Sequence, residues 1–371
     1  MLSDTSLFQT FSALVAIDSP SLGERRLCDY LTRRLIALGL TVREDDAGAL
    51  IGGDCGNLYG FLSGDESLTP LLFCAHMDTV APAHGKQAVL HADGRVTSAG
   101  DTVLGADDLA AVTAILEALA EIQAKNLSHR PIEVLFTVAE EIYGRGAGVF
   151  DCSSLRSREV YVPDLTGCVG TAAYKAPTIL RFTAVVEGRA SHAGFAPQAG
   201  IHAIAAAAQG IAGLPMGQID GDTTCNIGVI EGGLAPNIVP ERCVVRGEIR
   251  SYVHQKALDC AARVEQIFAD ACRTRDAGLS FETICDLIAY EADTSHPVAA
   301  RFWSVCADKG LTPSFIATFG GSDLNHFAQK GLTGLVLASA MNDCHSCAEY
   351  TTMDEMAALT DIILGLMTSR D

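Results

Sequence analysis

Four stretches of this sequence end in side chains able to bind metals or move protons: His76-Met77-Asp78, Glu140-Glu141, Pro163-Asp164 and His345. Each follows an apolar run, at 71–75, 132–139, 160–162 and 335–338, of the kind that forms a buried strand. Open parallel sheets bind ligands outside the carboxyl ends of their strands. One histidine after one strand is usually structural, and one Glu-Glu pair is usually a solvated turn. Four such endings in one chain point instead to a shared site of metal-assisted hydrolysis. His76-Met77-Asp78 pairs an imidazole with a carboxylate that can hold its second ring nitrogen, so Asp78 is expected to orient rather than ligate. Gly105-Ala106-Asp107-Asp108 leads into a helix marked by Val112, Ile115, Leu116 and Leu119. Its aspartates can cap that helix, and one of them is placed to bridge two ions. Glu140 and Glu141 are neighbours whose side chains diverge, so one is expected to ligate while the other serves as general base.

The elements that must position these groups read as an α/β alternation. Leu27, Leu31, Leu35 and Leu38 recur at helical spacing, and a strand is expected from Thr41. The middle differs: strand-like segments near 179–186, 223–230, 242–249 and 279–288 alternate with helical stretches near 199–213 and 254–273. That order, β-α-β-β-α-β, is the ferredoxin-like pattern. The expected fold is a three-layer α/β/α catalytic domain, 1–177 and 292–371, carrying an inserted ferredoxin-like α+β lid at 178–291.

Composition narrows the partners. The 371 residues carry 26 basic and 45 acidic side chains, a formal charge of -19, which repels nucleic acid and anionic membranes. Hydrophobic residues make up 49% and aromatics 6%, with 35 glycines, as suits an α/β protein with many tight turns. Thirteen cysteines scatter without regular spacing, which suits reduced thiols and a cytoplasmic location. Residues 1–16 show no basic leader, and no apolar run reaches the roughly 18 residues of a membrane span.

The segments Cys74-Ala75-His76-Met77-Asp78-Thr79-Val80, Gly105-Ala106-Asp107-Asp108, Ala139-Glu140-Glu141, Pro163-Asp164, Gly188-Arg189-Ala190-Ser191-His192-Ala193-Gly194, Asn237-Ile238-Val239-Pro240 and Gly320-Gly321-Ser322-Asp323, with His345 followed by Glu349, resemble in order the two-zinc metallopeptidase family of peptidase T, the glutamate carboxypeptidases and aminoacylase. The peptidase T branch is the most similar. The resemblance implies that His76, Glu141, Asp164 and His345 divide between two metals, with Asp107 bridging and Glu140 as general base. Zinc is the implied ion, with manganese or cobalt compatible. It also implies a cis peptide at Asp107-Asp108, a small peptide substrate, and a homodimer through the lid. His192 matches a histidine that in relatives reaches another subunit's site and steadies the oxyanion. Asn237 and Arg250 match lid positions that contact the substrate's carboxylate end.

Leu109 and Ile142-Tyr143 depart from the family pattern next to the site, whereas Asp164 in place of glutamate leans toward peptide substrates. An N-acyl amino acid deacylase or carboxypeptidase would use the same metal chemistry. Two readings of another class are a dithiol protein built on Cys344-His345-Ser346-Cys347 and a non-catalytic peptide-binding scaffold. The first leaves the strand-end carboxylates without a purpose, and the second leaves Glu140 without one.

Overall fold

The computed structural model describes residues 4–370; residues 1–3 and 371, which include the start of the segment expected to lack a leader, lie outside the described residues. Two compact units result, one formed by the chain up to Lys175 and again from Glu291, the other by Ala176–Tyr290.

In the first unit four parallel strands lie side by side in the order Ile132–Thr137, Leu71–His76, Glu159–Leu165 and Thr333–Ala338. Leu58–Leu62 flanks them antiparallel on one side and Thr171–Ala176 on the other. Leu71–His76 and Ile132–Thr137 are buried at every residue, which is why they read as unbroken apolar runs rather than alternating ones. Leu71 pairs with both Ile132 and Glu159, and Thr333 with Glu159, so the four strands start level. Their carboxyl ends therefore open along one rim.

Alternate strand residues face opposite helical layers. Leu71, Phe73, Ala75, Val134 and Phe136 join the core cluster of helices Ala106–Lys125 and Met353–Thr368. Helix Ala106–Lys125 is buried nearly all round, because helices Asp4–Val15 and Met353–Thr368 cover the side turned away from the sheet. Its Glu117 is satisfied by the Ser6 and Thr10 hydroxyls at 3.0 and 2.6 Å. Asp323–Gln329 and Arg145–Val149 lie on the other face, where Cys74 Sγ is 3.8 Å from Asp323 Oδ2. The expected three layers are present.

Two strand ends differ from the sequence reading, and both bear on the site. The strand expected over 132–139 stops at Thr137, because Ala139 takes a left-handed φ of 56° and turns the chain. The strand expected at 160–162 runs to Leu165, so Asp164 lies within it. Pairing with Thr333–Ala338 skips at this point, from Pro163 opposite Leu337 to Leu165 opposite Ala338. A bulge of this kind re-aims the side chain of the extra residue.

The second unit is an antiparallel sheet in the order Thr223–Gly232, Arg242–Ser251, Thr178–Glu187, Gly278–Leu287, with helices Ala203–Ala212 and His254–Arg273 packed on one face. Chain order and strand order together give the expected ferredoxin-like arrangement. Helix crossing is close: a Cβ at Gly210 would lie 2.6 Å from the Phe268 ring. No helix among the described residues is long and apolar enough to cross a membrane.

Gly146, in the helix Arg145–Val149 that follows the Glu140-Glu141 turn, has no room for a side chain, since a Cβ there would fall 2.3 Å from Val138 O and 2.5 Å from Asn57 Oδ1. Gly146→Ala is expected to cost about 1–3 kcal/mol by overpacking, read as a lower urea midpoint at unchanged m-value.

Candidate metal centre and active site

His76 is the last residue of its strand, and its ring is fixed at both nitrogens. Nδ1 lies 2.9 Å from the backbone carbonyl of Asp78 and Nε2 lies 3.0 Å from Asp107 Oδ1. The Asp78 carboxylate is farther from the ring, at 3.5 Å. Its short contacts go elsewhere: Oδ1 accepts the Glu140 amide at 2.9 Å, and Oδ2 accepts the Glu141 amide at 3.1 Å and the Ser21 hydroxyl at 2.6 Å. Asp78 therefore orients His76 largely through its backbone carbonyl and spends its carboxylate on the Glu140-Glu141 turn, a division that the His-x-Asp spacing does not reveal.

Asp107 lies at the centre. Its Oδ1 meets His76 Nε2, and its Oδ2 lies 3.1 Å from His345 Nε2, which is also 3.1 Å from Glu141 Oε2. Each oxygen of one carboxylate thus faces a different imidazole. The peptide to Asp108 is cis, and Asp108 turns to a separate task, its Oδ2 accepting the amide of His76 at 3.2 Å. Ligand atoms of His76, Glu140 and Asp164 lie within 4.8 Å of one another, as do those of His76, Asp107 and Glu141. Asp107, Glu140, Glu141, Asp164 and His345 line one cleft of about 340 Å³, together with Thr166, Ser322 and Cys344.

The electrostatics are those of crowded acids. Burial first, and then the charges of Glu140 and Asp107, hold the Asp164 carboxyl well above its ordinary value. Glu140 is raised in the same way by burial and then by Asp323, Glu141 and Asp78, against the opposing pull of His76. Burial likewise raises Glu141. Asp107 goes the other way: burial would raise it, but His345 and His76 together carry it below the usual carboxylate range. In return Asp107 and Glu141 push His345 up to about 10.

Residues without an expected role complete the scaffold. Glu349, 2% exposed, accepts the amides of Gly105 and Asp107 at 2.7 and 2.9 Å and so holds the backbone of the central aspartate. Its proximity to His345 in the chain marked it as part of a motif, but nothing local shows which amides it serves. Asp323, in the Gly320-Gly321-Ser322-Asp323 segment, accepts the Thr137 hydroxyl at 2.5 Å beneath the site. Glu24 has no motif at all, and in the sequence it reads only as the start of a helix.

In the second unit, Ser191–His192 pairs with Ile238–Val239, which brings His192 and Asn237 together. His192 Nδ1 accepts the amides of Gly194 and Phe195, both at 3.1 Å, so the neutral ring carries its proton on Nε2. The ring stacks on Phe195 at 4.2 Å. Arg250 forks onto Glu248 at 2.7 and 3.0 Å within its own strand. It is eight residues from Arg242 along that strand, about 26 Å from the end that carries Asn237. The structure does not bring Asn237 and Arg250 of one chain together.

Comparison with known proteins agrees with this architecture. Residues 174–276 match the peptidase dimerisation domain and 57–204 match peptidase family M28. The chain is 32% identical over 367 residues to the uncharacterized protein YqjE of Bacillus subtilis, covering 99% of each. A tripeptidase of Staphylococcus aureus superimposes with a TM-score of 0.96 at 29% identity, over 99% of this chain and 98% of that one. The aminopeptidase PepT of Bacillus cereus superimposes with a TM-score of 0.91 at 32% identity and the same coverage. With identity of this level along almost its whole length, and with the metal-capable strand ends gathered in one cleft, the chain belongs to the peptidase T-like family of metallopeptidases.

Proposed function

We propose that this protein is a di- or tripeptide aminopeptidase of the peptidase T type, hydrolysing an amide bond with metal-activated water. The observation that carries the reading is the Asp107 carboxylate, set between His76 and His345 with Glu140 lining the same cleft. The full-length likeness to a tripeptidase and an aminopeptidase supports the substrate class.

The donor set fits a pair of divalent cations, with zinc the best match to its mixture of imidazole and carboxylate and manganese or cobalt compatible. Glu141 Oε1 and Asp108 Oδ1 are buried without a hydrogen-bond partner, an arrangement that is costly unless positive charge offsets it. His76, Asp107, Glu141, Asp164 and His345 would hold the ions, Asp107 serving both. Bound there, the cations supply the charge that acidifies a water and polarises the scissile carbonyl. Glu140 takes the proton of the attacking water and returns it to the leaving amine. Asp78 holds the amides of Glu140 and Glu141, and with them the direction of the base. His192, offered by the lid of a second copy, donates a hydrogen bond from its Nε2–H to the developing oxyanion. Arg250 and Asn237 recognise the carboxylate end of the peptide.

A tripeptide spans only about 10 Å, so it cannot touch both Asn237 and Arg250 of one chain. A homodimer, in which a second copy offers the other end of its lid, removes that conflict, and the match to a peptidase dimerisation domain supports it. All thirteen cysteines are free, which supports the cytoplasm as the working compartment. A deacylase, a carboxypeptidase and a scaffold without turnover are separated from this reading by one panel of di- and tripeptides and N-acyl amino acids.

Glu140→Gln is expected to retain its metal by elemental analysis and to lose about 10²–10⁴ in kcat; near-normal turnover would remove Glu140 from the mechanism. Light scattering is expected to return twice the chain mass, and a monomer would overturn the dimer. The third expectation follows from the acids. A pKa raised on folding contributes stability below the unfolded value, and that contribution is lost as pH rises toward the folded one. Glu140, Glu141 and Asp164 are raised above the ordinary carboxylate range, and His345 is raised from 6.5 to about 10, so the metal-free protein weakens as pH climbs out of the carboxylate range toward about 10, where cations can take the place of the protons. The gap in Tm between zinc-loaded and metal-free protein should widen across that range, and thermal melts showing it narrow would contradict this account.

A further inference from the structure

Glu24 is fully buried, yet the chemistry above gives it no task. Its Oε1 accepts two amides, Leu22 at 3.0 Å and Ala139 at 2.9 Å, while its Oε2 is buried with no hydrogen-bond partner. Both amides belong to non-glycine residues at positive φ, 70° for Leu22 and 56° for Ala139. Such a conformation is disfavoured for a residue with a Cβ and persists only where the surroundings hold it. Ala139 is where the chain leaves its buried strand, and the next two residues are Glu140 and Glu141. Three consecutive amides at this turn are therefore held by two carboxylates, Ala139 by Glu24 and Glu140 with Glu141 by Asp78. The segment supplying Glu24 is itself tied to the same strand end: the Ser21 hydroxyl donates to Asp78, and the Thr79 amide donates to Ser19 O at 2.9 Å.

We propose that Glu24 is a positioning residue for the general base: its buried Oε1 fixes the left-handed turn at Ala139 that sets where Glu140 and Glu141 point. The proposal rests on the reading of Glu140 as base and Glu141 as ligand. The required feature is an acceptor at one place rather than a negative charge. Burial, then the charge of Asp78, pushes this carboxyl up to about 7, in keeping with that requirement. Glutamine keeps the acceptor at the same reach; aspartate keeps the charge but withdraws the acceptor by one methylene.

The test compares wild type, Glu24→Gln and Glu24→Asp by tripeptide turnover and by zinc titration of the apoprotein. Glu24→Gln is expected to stay within about threefold of wild type in kcat. Glu24→Asp is expected to lose about tenfold or more in kcat, with KM within about twofold, and to bind zinc about tenfold more weakly. Equal losses in the two variants, or a Glu24→Asp protein with wild-type kcat and zinc affinity, would overturn the proposal. Should Glu24→Asp be too unstable to assay, the double variant with Ala139→Gly decides, because glycine takes the positive φ unaided. Turnover restored to within tenfold of wild type supports the role of the turn, and no recovery refutes it. If wild type cleaves no peptide, the functional reading fails, while the zinc titration still reports whether Glu24 places Glu141.

Discussion

Repulsion among carboxylates crowded into one cleft is the constraint around which the first unit is organised. Asp107, Glu140, Glu141 and Asp164 share that cleft with His345, and His76 contacts Asp107 from its strand end. Two imidazoles cannot balance so many ionised acids, and the acids that lack an imidazole partner hold their protons more tightly than free carboxyls do. A set of this kind is stable when cations enter it, because they pair with the carboxylates and replace the shared protons. What the site requires of the fold is that these groups be held close before any ion arrives.

That rigidity comes from the backbone more than from side-chain packing. Buried carboxylates behind the cleft accept main-chain amides beside the functional residues: Glu349 those of Gly105 and Asp107, Asp108 that of His76, Asp78 those of Glu140 and Glu141, and Glu24 that of Ala139. A carboxyl oxygen fixed on an amide in a buried setting leaves little freedom to the residue that bears the amide, because losing the acceptor would strand a buried N–H. The second unit applies another form of control, with His192 held by two amides on Nδ1 so that Nε2 remains the donor.

Much of this was legible in the residues. Buried parallel strands announce themselves as apolar runs, the lid announces itself by its element order, and histidines and acids just past the strands mark the rim. His76 and His345 stood out because they follow apolar strands beside several acids, whereas the choice of Asp107 over Asp108 came from the family resemblance rather than from residue type. The supporting acids were not legible in the same way. Glu24 looks like any helix start, and Glu349 like any acid near a histidine, because an amide acceptor is defined by the amide it reaches, 115 residues away for Glu24 and 242 for the Asp107 amide held by Glu349.

The sequence by itself therefore determined the layers, the inserted lid, the acidity and the identity of the groups at the rim, since burial and periodicity act locally along the chain. Tertiary structure alone decided how the work is divided. It gave the Asp78 carboxylate to the Glu140-Glu141 turn rather than mainly to His76, set Asp164 at a bulge, and put Arg250 near the far end of the strand Arg242–Ser251, whose start Asn237 precedes. Each of those outcomes depends on which distant atoms come within about 3 Å, a distance that no spacing in the chain encodes.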